Sequence, residues 1–234
     1  MKILLLCWRD TGHPEGGGSE RYLERVAGYL ADQGHTVVFR TASYPGAPAL
    51  SRRDGVTFSR AGGNFSVYVR SWTAMLGARF GVGPLAKALG GKPDVVVDTQ
   101  NGVPFFARIF SGAPTVLLTH HCHREQWPVA GPIISQLGWF IESRLSPMIH
   151  RRSRYITVSE PSAAELVELG VSPGRIAVIR NGVDPIPEEL QSTEIMADLS
   201  ECDGPAPHLV TLSRLVPHKQ IEHAIDVLAD LVQD

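Results

Sequence analysis

Short, continuous apolar runs alternate with longer segments of helical periodicity, and this alternation limits the folds open to the chain more than any other feature. Residues 3–8, 36–41, 94–99, 116–119, 155–158 and 176–179 read as strands. They are rich in Val and Ile and mostly unbroken, as strands covered on both faces of a parallel sheet must be. Residues 20–33, 71–89, 132–151 and 160–169 read as helices. In the first, Leu23, Val26, Ala27 and Leu30 recur at helical spacing. Strand and helix in turn predict an α/β fold, a Rossmann-like doubly wound parallel sheet.

Residues 45–63 are loop-rich, with Gly46, Pro48, Gly55, Gly62 and Gly63, and short strands are expected near 56–58 and 65–69. From 185 to 207, Pro185, Pro187, Pro205 and Pro207 stand among acidic residues with no clear apolar face, the pattern of a linker. A new strand at 209–215 and a new helix at 221–232 are expected beyond it. One strand and one helix cannot bury a core of their own, so they read as the start of a second domain whose remainder is absent. The expected organisation is a domain over 1–184, a linker over 185–207 and the truncated first β-α unit of a second Rossmann-like domain over 208–234.

Lys and Arg number 22 and Asp and Glu 24, a formal net charge of −2. That balance makes no electrostatic case for nucleic acid. Cys7, Cys122 and Cys202 are widely spaced and form no CxxC pair. A reducing cytoplasm fits them better than a disulfide framework. Arg9 and Asp10 cut the first apolar run before a signal-peptide core can form. No stretch reaches the roughly 20 apolar residues that a membrane-spanning helix needs.

Gly16-Gly17-Gly18-Ser19-Glu20 follows the first strand and opens the first long helix. Glycines let a ligand approach the backbone, and helix-start N–H groups favour an anion. The bland reading is a flexible turn capped by Ser19. The pattern is not the GxGxxG dinucleotide fingerprint. His120-His121-Cys122-His123 lies at a strand end, where ligands of open α/β sheets bind. A histidine there could orient a sugar hydroxyl or a phosphate, the group could bind zinc, or it could be filler. Adjacent strand positions point to opposite faces, so all four cannot converge on one ion without a bend, and no metal is expected. In 132–154, Ile133, Ile134, Leu137, Phe140, Ile141, Leu145, Met148 and Ile149 form a broad apolar stripe, followed by His150, Arg151, Arg152 and Arg154. This reads first as a core-facing helix with cations at its end, and second as peripheral contact with an anionic membrane. Ser159 fits an N-cap before Pro161, and Asn181-Gly182 is a turn signal. Arg214 and Lys219, leaving the last strand for the last helix, read either as a diphosphate clamp or as exposed cations.

In this order the segments resemble the retaining GT-B glycosyltransferases of family 4, over nearly the whole chain. Gly17-Gly18-Ser19-Glu20 resembles the family's GGxE loop, and residues 34–37 (GHTV) its entry to the second strand. Residues 156–160 (ITVSE) resemble its "VS" strand end, 178–184 (VIRNGVD) its "VIPNGVD" segment and 213–219 (SRLVPHK) its "GRLVPEKG" segment. The resemblance implies two Rossmann-like domains facing across a cleft, with the acceptor held mainly by the first and the nucleotide sugar by the second. It implies transfer of a hexose from a UDP- or GDP-linked donor, with retention and without a divalent metal or other cofactor. Arg214 and Lys219 match the donor-diphosphate grip, Gly17 and Gly18 the loop that closes over the phosphates, and His120 a catalytic cleft histidine. His121, His123 and Asn181 are then acceptor-side candidates. Arg180, Ser213, His218 and Gln220 depart from the family's Pro, Gly, Glu and Gly. The family's Glu-x7-Glu carboxylates belong to the second domain, so the matching spacing of Glu160 and Glu168 in the first is coincidence. The expected function is thus a cytoplasmic transferase fragment, inactive alone, with peripheral membrane contact through 132–154 as the second reading of that segment. The alternatives are a stand-alone acceptor- or partner-binding domain and, more remotely, a sugar-nucleotide epimerase.

Overall fold

The computed structural model describes residues 1–124, 127–188, 210–213 and 219–233. They divide into two compact units, Met1–Gly182 and Val183–Asp234. The strands of the first are β1 (Lys2–Leu6), β2 (Thr36–Thr41), β3 (Leu50–Arg53), β4 (Val56–Arg60), β5 (Val95–Gln100), β6 (Thr115–Thr119), β7 (Arg154–Thr157) and β8 (Ile176–Val178). The helices are α1 (Gly18–Asp32), α2 (Ser66–Arg79), α3 (Gly83–Leu89), α4 (Ala107–Phe110), α5 (Pro132–Phe140), α6 (Ser146–Ile149) and α7 (Glu160–Glu168).

The strands form one sheet in the order β3-β4-β2-β1-β5-β6-β7-β8. Every neighbouring pair is parallel except β3 with β4. The chain winds outward from β1 toward β2 and, on the other side, through β5. The β1/β5 boundary is therefore the switch point, where loops leaving the carboxyl ends part and open a crevice. The apolar runs are continuous because both faces are covered. Leu4, Leu6, Val38 and Val96 pack with Met75, Leu85 and Ala107, while Ile3, Leu5, Val37 and Phe39 pack with Leu23 and Ala27 of α1. Leu117 and Tyr155 continue the core toward Leu166 of α7.

Several expectations are corrected. Residues 65–69 are not a strand but the cap and first turn of α2, because Val67, Ser71, Met75 and Ala78 fall on one buried helical face. The single helix expected over 71–89 is two, divided at Gly81 and Gly83, whose φ angles of 73° and 87° leave the helical region. β3 was not foreseen: it is a mostly exposed edge strand, joined to β4 through Asp54 and Gly55 at φ 50° and 73°, the left-handed turn conformation of tight hairpins.

The helix expected over 132–151 consists of α5, a π-helical turn at Ile141–Leu145 and α6, and it is not simply core-facing. Ile133 is 82% exposed, Phe140 55% and Met148 63%. The buried positions are Gly138, Glu142, Ser143, Ser146 and His150. The segment thus turns a small and polar face inward and much of its apolar stripe outward. In the second unit, residues 210–213 carry no strand, and the rest of the strand expected over 209–215 lies outside the described residues, as does 189–207 of the expected linker. The helix Ile221–Gln233 is present.

Candidate active site

The loop that leaves β1 is held by buried charge. Arg60 Nε donates to Asp10 at 2.6 Å with both side chains almost fully buried, and Asp10 accepts in turn from the Gly12 amide at 2.9 Å. Thr11 donates from its amide and its hydroxyl to Glu24 on α1, both at 2.8 Å, and Arg53 closes on the same carboxylate. A Cβ on Gly16 would stand 2.7 Å from the Asp10 carbonyl oxygen, so this glycine is needed for packing. Gly18 is different: among the described residues a Cβ there meets nothing within 4 Å.

The N-cap of α1 is Gly17, not Ser19. Glu20 supplies the cap by reaching back to accept from the Gly17 amide at 2.9 Å, and Ser19 donates its hydroxyl to the same carboxylate. The Gly17 N–H is therefore already engaged. Gly18 and the residues after it form the open rim of the helix start.

The strap that leaves β6 meets α1. His120 packs edge-on to Tyr22, with ring centroids 5.4 Å apart, and its carbonyl accepts from Ser162 Oγ at 2.8 Å. Its Nε2 is buried without a hydrogen-bond partner. Burial, then the neighbouring His121, pushes its pKa below the usual histidine value. His121 is exposed and lies ring to ring with His123, centroids 4.4 Å apart. The Cys122 amide donates to Glu165 of α7 at 3.0 Å. Burial pushes the Cys122 thiol up to about 12. Among the described residues no group of three His, Cys, Asp or Glu is arranged to hold a metal ion.

Glu142, in the π-helical turn, gathers the strap. Its carboxylate is fully buried, accepts from the His123 amide, 3.2 Å to each oxygen, and from the Trp127 indole at 2.7 Å, and lies 3.2 Å from Nδ1 of the His123 ring. On the neighbouring strand, Asp98 of β5 accepts from the Phe105 and Ala107 amides, each at 2.8 Å. These two bonds bracket Phe106, which is held at φ 54°. Burial pushes Asp98 up to about 7 against those two donors. Burial, then Arg108, lowers His150, which lies 3.9 Å away, to about 4. Between those values both groups are neutral, so their contact is not an ion pair.

The carboxyl edge thus brings together Gly17, Gly18, His120, His121 and His123. Asn181 is exposed in the irregular segment after β8. Lys219 is exposed in the second unit, and Arg214 lies outside the described residues. Sequence reasoning missed Glu142, Trp127 and Asp98. For Glu142 one signal existed, a lone acidic residue amid the apolar stripe.

The sheet order and a site along its carboxyl edge define a Rossmann-like α/β domain. The model of Glycosyltransferase Family 4 matches residues 16–186, and the chain belongs to that family. Two crystal structures of HepE from Anabaena, one in complex with UDP and glucose and one with UDP, have the same fold. Each has a TM-score of 0.61, at 20% and 21% identity, over 98% of this chain and 58% of the HepE chain. At that identity the likeness is one of fold. Comparison with curated proteins finds no match. Among the described residues no helix is long and apolar enough to cross a membrane.

Proposed function

We propose that this chain is the acceptor-side domain, 1–184, of a hexosyltransferase that uses a UDP- or GDP-linked sugar, with the donor side beginning after a linker over 185–207. The observation that carries the reading is the family match over 16–186, which takes in both the glycine loop and the histidine strap. The open space above Gly18 supports a role for that loop in admitting a phosphate, because among the described residues nothing requires a glycine there. UDP and glucose in the HepE structure accord with a nucleotide-sugar donor.

In this reading Arg214 and Lys219, with the α1 amides, stabilise the charge that develops on the departing nucleoside diphosphate. No metal or other cofactor enters the reaction, and the sugar is transferred with retention. Calorimetric titration with UDP, GDP and their sugar conjugates tests the donor assignment. Submillimolar binding that weakens in Gly18→Val supports it. No binding by the folded chain would remove this chain from the donor site.

Contact with an anionic membrane belongs to the same proposal. Ile133, Leu137, Phe140 and Met148 are exposed, and Arg144, Arg151, Arg152 and Arg154 on the same segment are exposed with them, the pairing an interfacial helix needs. Flotation with anionic vesicles should recover the protein, and replacing Phe140 and Arg151 with Ser should release it. Equal recovery with neutral vesicles would refute the contact.

A further inference from the structure

Arg40 is a buried cation, 6% exposed, for which no carboxylate partner is found among the described residues. Burial, then the like charge of Arg70, lowers its pKa from 12.5 to about 10, so it keeps its charge at neutral pH. The strands β2, β3 and β4 and the helix α2, which surround it, contain no Asp or Glu. Two other arginines of the same hairpin are paired: Arg53 closes on Glu24 and Arg60 on Asp10. A charge withdrawn from water without a countercharge is unfavourable, and an apolar side chain would fill a purely structural position without that penalty. The guanidinium is also only partly engaged. Nη1 donates to Ser59 Oγ at 3.0 Å, Nη2 to the Arg70 carbonyl at 3.1 Å and Nε, more weakly, to Ser71 Oγ at 3.4 Å. A guanidinium carries five N–H groups in a planar fork, so one on Nη1 and one on Nη2 are left without an acceptor among the described residues. Arg70 is exposed. So is Arg52 of the edge strand, on the same face of the sheet: it pairs with Thr57, two residues from Ser59, the partner of Arg40.

We propose that Arg40 and Arg70 form an oxyanion site on the outer half of the sheet that takes a phosphate group, with Arg52 adding to the positive field. The two unengaged N–H groups of Arg40 and its charge are what a phosphate satisfies, since a guanidinium fork matches two phosphate oxygens. A phosphate monoester, which carries close to two negative charges at neutral pH, answers two or three cations better than a carboxylate with one. The site is distinct from the glycine loop. Arg40 shares the face of Val38, which packs with Met75 of α2, whereas α1 covers Phe39 on the opposite face through Leu23. It therefore stands whether or not the chain is a transferase.

The test is calorimetric titration with inorganic phosphate at constant ionic strength, on wild type, Gly18→Val, Arg40→Met and Arg70→Ala. Wild type should bind with a Kd of about 1 mM or tighter, and Gly18→Val should keep that binding. Arg40→Met should lose it, and Arg70→Ala should weaken it about tenfold or more. If Arg40→Met does not fold, Arg70→Ala decides, because it keeps the carbonyl to which Arg40 donates. No binding by the folded wild type, binding that Arg40→Met or Arg70→Ala retains at wild-type strength, or binding that Gly18→Val alone abolishes overturns the site. Flotation with vesicles of phosphatidic acid in phosphatidylcholine separates two sources of the group once phosphate binding is established. Recovery that falls in Arg70→Ala assigns it to a lipid headgroup. Recovery that is absent, or equal in the two proteins, assigns it to a soluble ligand.

Discussion

Trp127 occupies the space that Gly138 leaves open: a Cβ at Gly138 would stand 2.3 Å from the indole ring. The same ring lies 2.9 Å from where a Cβ of Gly102 would be. One side chain therefore joins the loop after β5, the strap after β6 and the outer helix α5. Its indole N–H is fixed at the far end by Glu142.

Gly138→Ala should displace the indole and loosen the strap. Overpacking of this kind destabilises by about 1–3 kcal/mol. Urea unfolding should show the loss, with a red-shifted tryptophan emission in the folded state. An unchanged emission maximum would argue against the wedge.

Gly18→Val should behave in the opposite way. Among the described residues nothing within 4 Å opposes a Cβ there, so stability should change little, by no more than about a few tenths of a kcal/mol from the change in helix-start propensity. Nucleotide titration should nevertheless weaken at least tenfold, about 1.4 kcal/mol. Equal affinity in the two proteins would remove the loop from the binding site.

Asp10→Ala leaves Arg60 buried without its carboxylate. Stranding a buried charge destabilises by about 3–5 kcal/mol. The loss should appear in equilibrium unfolding and be smaller when Arg60 is also replaced by Met. An additive double mutant would mean that the pair contributes nothing of its own.

Asp98 and His150 should drive stability in opposite directions with pH. The folded pKa of Asp98 is raised from 3.8 to about 7, so its contribution is full below 3.8 and is lost as pH rises through 7. The folded pKa of His150 is lowered from 6.5 to about 4, so its contribution is full above 6.5 and is lost as pH falls through 4. Melting curves from pH 4 to 7 should show Asp98→Asn removing the alkaline loss and His150→Gln the acid loss. Parallel curves for all three proteins would refute both assignments.

Much of the sheet was legible in the sequence because a strand buried on both faces must be an unbroken apolar run, whatever its neighbours are. Ile3 to Leu6 and Val95 to Val97 meet that condition by themselves, and the glycines after β1 mark the loop without reference to anything else. Residues 65–69 were not legible as helix, because Val67 is sorted from its neighbours only when Met75 and Ala78 pack beside it. The segment from Pro132 to Ile149 shows the limit most clearly. Its periodicity announces a helix with an apolar stripe, but a stripe does not say what stands opposite. Tertiary structure set Glu142 and Ser146 inward, because the strap offers the first a hydrogen-bond partner and Gln100 at the end of β5 the second, buried His150 beside Ser153, and left Ile133 and Phe140 in solvent. The choice of His123 over His120 as the ring that faces a carboxylate was decided in the same way. It depends on a contact across nineteen residues that no local spacing encodes.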